Sequence, residues 1–298
     1  MLRWAELCEG EADIPAAARS RLIEPDGQAR ATVVLWHGFT NAPPQFAQVA
    51  EVLAASGVRV LLARMPRHGQ ADQLTRDLAN LTVVELVDHV SSCIDIAAGF
   101  GDPVWVVGLS AGATLAAWAA AGRPEVSRLV LLGPLVAPKG LPLSVVRALV
   151  RFPRLVPNIY FWWDPRRKAN LGHGPYVYPG FPLPGILPFL HLSEAMFDHS
   201  MVVSHGLERA VLTNNTGDFA IRRDAALAFA RQIFFPRAEV SAVAEIDPAL
   251  RWMHDFVDPF TPGTASAEQT AAIIRAALGV GDSDAGGLLV APLVPAQP

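Results

Sequence analysis

Apolar residues recur along the chain in two alternating rhythms. Short continuous runs at ATVVLW (31–36), VRVLLA (58–63), VWVVGL (104–109) and RLVLLG (128–133) read as buried strands, and SRLIEP (20–25) before the Asp26-Gly27 turn reads as another. Helical patterns fall between them. Residues 44–56 stop at Gly57, residues 82–98 place Val83, Leu86, Val87, Val90 and Ile94 on one face, and 111–121 is a helix of small residues. Strands that read as near-continuous apolar runs are covered on both sides, and their alternation with helices implies a parallel sheet with right-handed crossovers.

The rhythm breaks near residue 137 and resumes after residue 204, with strands at 209–215 and 238–246 and helices at 220–234 and 264–278. The interval is rich in Pro, Leu and aromatic residues. The expected class is therefore α/β: a mostly parallel central sheet flanked by helices, with a lid or cap inserted after the sixth strand. Residues 18–136 and 205–280 form the expected core, 137–204 the cap, and 281–298 a flexible tail rich in Gly, Ala and Pro.

Composition narrows the partners. The chain of 298 residues is 51% hydrophobic and 17% charged, with net charge -4. Without a long basic run it is not expected to bind nucleic acid. No uninterrupted apolar stretch of about 18 residues exists, so no membrane span is expected. Arg147, Arg151 and Arg154, at one-turn spacing beside Val146, Leu149 and Val150, allow transient contact with a lipid interface. The N-terminus is unlike a signal peptide, and Cys8 and Cys93 form no disulfide framework, which together point to the cytoplasm. The eight histidines show no metal-ligand spacing and no dinucleotide fingerprint is present, so no metal or cofactor is expected.

The sharpest chemical signal is Gly108-Leu109-Ser110-Ala111-Gly112, a G-x-S-x-G between an apolar strand and a helix. A serine on so tight a turn projects its hydroxyl over the sheet edge, and flanking side chains would collide with the strand or helix. The helix N-terminus beside it favours developing negative charge. Ser110 is the expected nucleophile. The loop after 31–36 contains His37-Gly38-Phe39-Thr40, and the backbone N–H groups of Phe39 and Ala111 are the expected oxyanion donors, with Thr40 as a second choice for the first. His37 and His68 are read as structural.

On sheets with such an elbow the order is serine, acid, histidine. Asp218 follows the first strand after the interruption and is the expected acid, with Asp224 as runner-up; a helix cap is the plain alternative for Asp218. His254 is the only histidine beyond residue 205 and is the expected base, with His205 as the fallback and Asp255 and Asp258 as rival acids. All three tyrosines lie in 137–204, and Trp162, Trp163 and Tyr176 are candidate substrate contacts there.

HGFTNAPPQF (37–46), ARMPRHG (63–69), GLSAG (108–112), LTNNTGDFAI (212–221) and MHDFVDP (253–259) together resemble the α/β-hydrolase superfamily, and within it the branch of monoacylglycerol lipases and bacterial carboxylesterases. Arg67 stands where that branch commonly has glycine. The resemblance, over about residues 18–280, implies hydrolysis of small-molecule carboxylic esters of medium-sized apolar acyl groups or monoacylglycerol type. A thioesterase or acyltransferase on the same residues is the alternative, and a non-catalytic binder of hydrophobic ligands is a further one.

Overall fold

The computed structural model describes residues 2–166, 176–197, 207–261, 263–280 and 294–295. The strands β1 (Arg21–Ile23), β2 (Thr32–Trp36), β3 (Arg59–Ala63), β4 (Val104–Leu109) and β5 (Val126–Leu132) precede the interruption. After a small hairpin of β6 (Tyr160–Trp162) and β7 (Gly180–Pro182), the sheet continues with β8 (Leu207–Asn214), β9 (Ala238–Glu245) and β10 (Val294–Pro295). The main sheet has the order β1-β3-β2-β4-β5-β8-β9-β10. It is parallel from β3 to β9, with β1 and β10 antiparallel at the edges.

Every residue of β2 and β4 is buried. The alternation of a pleated strand sends successive side chains to opposite faces. Val34, Trp36 and Val106 join one apolar core, while Val33, Leu35, Trp105, Val107 and Leu109 join the other. Helices cover both cores. The helices α1 (Leu2–Glu9), α3 (Val83–Ala98) and α4 (Ala111–Gly122) lie with the first core, and α2 (Ala47–Ala55) and α8 (Ala267–Leu278) pack together over the second. Thr82 and Glu85 form a capping box that starts α3, as Ser266 and Gln269 do for α8.

The parallel register aligns the carboxyl ends of the strands. Trp36 pairs with Gly108, Leu109 with Leu132, and Asn214 with Glu245. The loops that follow β2, β4, β5, β8 and β9 therefore gather along one edge of the sheet, where open α/β sheets bind ligands.

The chain leaves the sheet after β5. That is the fifth strand in chain order, so the interruption follows the fifth strand and not the sixth. It contains α5 (Leu143–Arg151), the β6–β7 hairpin and α6 (Leu187–Phe197). Its rings do not build a core of their own: Tyr178, Phe181 and Phe189 are buried in the same core as Trp36 and α4. After it, α7 (Arg223–Ile233) connects β8 to β9. Of the expected tail 281–298, residues 281–293 and 296–298 lie outside the described residues, and 294–295 pair with β9. No helix among the described residues is long and apolar enough to cross a membrane.

Candidate active site

Ser110 ends β4 and precedes α4 with φ 56 and ψ -115, a conformation side chains rarely adopt. The flanking glycines explain how the turn tolerates this. A Cβ on Gly108 would fall closer than 3.0 Å to the backbone of Gly112, and one on Gly112 closer than 3.0 Å to the carbonyls of Trp36 and His37. The strand, the elbow and the β2 loop thus touch backbone to backbone. The Ser110 N–H donates to the Leu132 carbonyl at 2.9 Å, and the Leu135 N–H donates to the Ser110 carbonyl at 3.1 Å. The elbow is clamped to the turn after β5, and its hydroxyl makes no hydrogen bond among the described residues.

Gly133 in that turn lies beside the two remaining candidates. With φ 51, a Cβ on it would meet Asp218 Oδ2 at 3.3 Å and His254 Cε1 at 3.7 Å. Asp218 Oδ2 accepts from His254 Nδ1–H at 2.6 Å, and both residues are buried. Asp218 Oδ1 accepts from the N–H groups of Ala220 (2.8 Å) and Ile221 (3.2 Å). Asp218 therefore closes a short loop turn with one oxygen and holds the imidazole with the other; it does not cap α7, whose N-cap is Arg222. Burial pushes the His254 pKa down, but the Asp218 hydrogen bond and the charges of Asp218 and Asp255 outweigh it, so the pKa lies above the ordinary histidine value.

The rival acids are engaged elsewhere. Asp258 accepts from the Thr261 hydroxyl at 2.9 Å and the Phe260 N–H at 3.1 Å. Asp255 accepts from Gln45 Nε2 at 3.4 Å, and the same Gln45 side chain receives the Gly38 N–H at 2.7 Å. Asp224 pairs with Arg222 on the surface. His205 lies outside the described residues.

Phe39 and Ala111 carry backbone N–H groups with no acceptor among the described residues. Phe39 is fixed from behind: its carbonyl lies 2.6 Å from His68 Nε2, while His68 Nδ1 lies 2.8 Å from the Pro66 carbonyl. Burial lowers the His68 pKa to about 4, against the pull of these two carbonyls. His37 is equally buried; its Nε2 accepts from the Met65 N–H at 3.1 Å and its Nδ1 contacts the Gly38 carbonyl at 2.9 Å. Both histidines thus hold backbone. Arg67 has φ 64, so the arginine adopts the left-handed turn that a glycine would take freely, and its guanidinium is held by Asp77 (2.7 Å) and Glu85 (2.9 Å).

The three candidate substrate contacts separate. Trp163 donates from its indole to Thr40 Oγ1 at 2.9 Å, next to Phe39, and Thr40 also accepts the Tyr178 N–H at 2.8 Å. Trp162 lies on the other side of β6 against Tyr160, with ring centroids 4.7 Å apart. Tyr176 has φ 74 and makes no hydrogen bond or ring contact with the other candidates among the described residues. Two positions not singled out in the sequence support the loops. Asn215 donates to the carbonyls of Trp252 (3.1 Å) and Met253 (2.9 Å), and Lys139 Nζ donates to the Asp218 carbonyl at 3.1 Å. Their signals are tertiary, so no spacing in the sequence marks them. A cavity of about 460 Å³ is lined by Asp218 with Lys139, Thr216 and Arg222 but not by Ser110 or His254, so it is not where a reacting carbonyl would sit.

Sheet order, elbow and loop positions together are those of an α/β-hydrolase. The chain belongs to the family described as serine aminopeptidase, S33, which matches residues 27–176. Among solved structures it is similar to a metagenome-derived lipolytic enzyme (LipS or LipT), at 19% identity over 78% of this chain and 89% of that one, TM-score 0.60. It is also similar to the monoacylglycerol lipase of Paleococcus ferrophilus, at 18% identity over 76% and 87%, TM-score 0.57. A third is a soluble variant of monoglyceride lipase from Saccharomyces cerevisiae, at 15% identity over 76% and 82%, TM-score 0.52. No curated protein matches the chain in sequence.

Proposed function

We propose that the protein hydrolyses carboxylic esters with medium-sized apolar acyl groups, monoacylglycerol-like substrates included, through an acyl-enzyme on Ser110. The observation that carries this reading is the buried 2.6 Å hydrogen bond from His254 to Asp218, beside Gly133 in the turn to which the Ser110 elbow is hydrogen-bonded. His254 Nε2 takes the Ser110 proton as Oγ attacks the ester carbonyl. Asp218 holds the tautomer with Nδ1–H and stabilises the imidazolium. The N–H groups of Phe39 and Ala111 receive the oxyanion, aided by the N-terminus of α4. His254 then protonates the leaving alcohol, and water activated by the same imidazole releases the acid.

Residues 137–204 act as the cap in this reading. Trp163, Phe161 and Phe181 form a ring cluster that meets Phe39, with Phe39 and Phe181 centroids 4.9 Å apart. Such a wall favours an apolar acyl chain over the charged amino terminus an aminopeptidase must hold. Cys8 and Cys93 are free thiols, in keeping with a reducing cytoplasm. A series of p-nitrophenyl esters tests the function: turnover rising from acetate toward medium chains, and absent in Ser110→Ala, supports it. Turnover of aminoacyl p-nitroanilides without ester turnover contradicts it. Added alcohol that diverts most product into a new ester would make the protein an acyltransferase instead.

A further inference from the structure

We propose that the surface formed by α5, the turn after it and β6 docks on an anionic lipid bilayer. The segment 139–163 contains no Asp or Glu, in a chain whose net charge is -4. Of its four cations, Lys139 donates to the Asp218 carbonyl and Arg147 pairs with Glu194, while Arg151 and Arg154 stand exposed in and beside the turn after α5. Leu143, Val146, Leu149 and Val150 turn the apolar face of α5 onto the core, but the turn after it and β6 carry apolar residues outward: Phe152 is 52% exposed, Leu155 78%, Ile159 56% and Phe161 45%. Large apolar side chains on a soluble face mark a contact surface when they cluster. Here they alternate with cations: the Arg151 guanidinium lies 5.9 Å from the Phe152 ring centroid, and residues 151–155 are all exposed. Rings and leucines that enter an interface, with arginines that reach headgroup phosphates, are the composition of a peripheral lipid contact.

Charge selects this occupant over a second copy of the chain. A two-fold interface through the same patch would set Arg151 and Arg154 against their own counterparts. An anionic leaflet offers phosphates to all of them.

The patch leads to the site. Phe161 contacts Trp163 and Phe181 with centroids 5.6 and 5.3 Å apart, and Phe181 contacts Phe39, whose N–H faces the reacting carbonyl in the proposed function. The ring cluster thus joins the docking patch to the loop that presents the Phe39 N–H. The use of that link by a substrate rests on the ester-hydrolase reading; the docking itself does not.

Flotation of the full-length protein with vesicles tests the docking separately from catalysis. Vesicles of phosphatidylglycerol and phosphatidylcholine are expected to carry the wild type at low salt, and pure phosphatidylcholine vesicles at least about tenfold less. Salt at 0.5 M should weaken the partition by shortening the screening length to well under about 10 Å. Arg151→Glu/Arg154→Glu should lose about tenfold or more, and Phe152→Ser/Leu155→Ser a similar amount. Both variants alter exposed residues and should hydrolyse a soluble short-chain ester at the wild-type rate. Wild type that stays free of anionic vesicles at low salt overturns the proposal, as does equal flotation of all the variants. So does sedimentation showing a wild-type dimer that these variants split.

Discussion

Gly217 meets Trp252 backbone to backbone: a Cβ on Gly217 would fall closer than 3.0 Å to the Trp252 carbonyl oxygen. The loop with Asp218 and the loop with His254 are thus in direct contact, one residue before Asp218 and two before His254. Asn215 rivets this contact by donating to the carbonyls of Trp252 and Met253. Asn215→Ala leaves the buried Trp252 carbonyl without its donor, at a cost of about 1–3 kcal/mol, and the part-buried Met253 carbonyl at less. Its unfolding midpoint in urea should fall, and kcat should fall more than KM rises, because the base is displaced while the acyl wall is untouched. Unchanged kcat in a folded Asn215→Ala would show that the loops hold His254 without it.

The hydrogen bond between Asp218 and His254 sets a pH dependence. In the proposed mechanism His254 must be neutral to accept the Ser110 proton, and its pKa lies above the ordinary histidine value because of Asp218 and Asp255. Activity is therefore present above that raised pKa and is lost as pH falls through it. Asp218→Asn removes the carboxylate charge, so the acidic limb of kcat/KM should move to lower pH. The plateau should drop by about 10⁴-fold as the tautomer with Nδ1–H loses its partner. A limb that stays in place in Asp218→Asn assigns the titration to another group.

His68 touches no reacting atom in the proposed mechanism but holds the Phe39 carbonyl at 2.6 Å. His68→Leu leaves that buried oxygen unpaired and frees the loop that presents the Phe39 N–H. A loss of kcat of about tenfold to a hundredfold is expected, somewhat less than removal of an oxyanion donor outright. His68→Gln, which keeps a donor, should recover part of it. Equal kcat in His68→Leu, His68→Gln and wild type would separate this contact from catalysis.

Arg67 takes a left-handed conformation at the cost that any Cβ carries there. Arg67→Gly removes that strain and loses partly exposed ion pairs to Asp77 and Glu85, worth about 0–1 kcal/mol. Arg67→Ala loses the pairs and keeps the strain. The glycine variant should therefore be the more stable of the two by about 1 kcal/mol in thermal unfolding. An alanine variant as stable as the glycine variant would mean that the loop relaxes out of the left-handed region.

The sheet was legible in the sequence because its strands are buried on both faces. VWVVGL is β4 to the residue, and ATVVLW and AEVSAVAEI differ from β2 and β9 only at their ends. The elbow was legible because two glycines are required by close backbone approach. Asp218 and His254 followed from chain order, and the structure brings them together. The interruption was legible as a break, but the elements inside it were not. The helix α6 is buried on nearly every side and so lacks an amphipathic period, and Pro188 in its first turn reads as a break. The strands β6 and β7 are three residues each and are separated by residues 163–179, so no hairpin turn marks them. The division among Trp162, Trp163 and Tyr176 was equally hidden, since it depends on which face of β6 packs toward Thr40.

The central claim is that Ser110 is a nucleophile activated by His254. Treatment of the folded protein with a fluorophosphonate probe, with the adduct located by peptide mass spectrometry, tests it most directly. The account predicts a single phosphonyl adduct on Ser110, formed far more slowly in His254→Ala. Folded protein that stays unlabelled, or that carries the label on another serine, would contradict it.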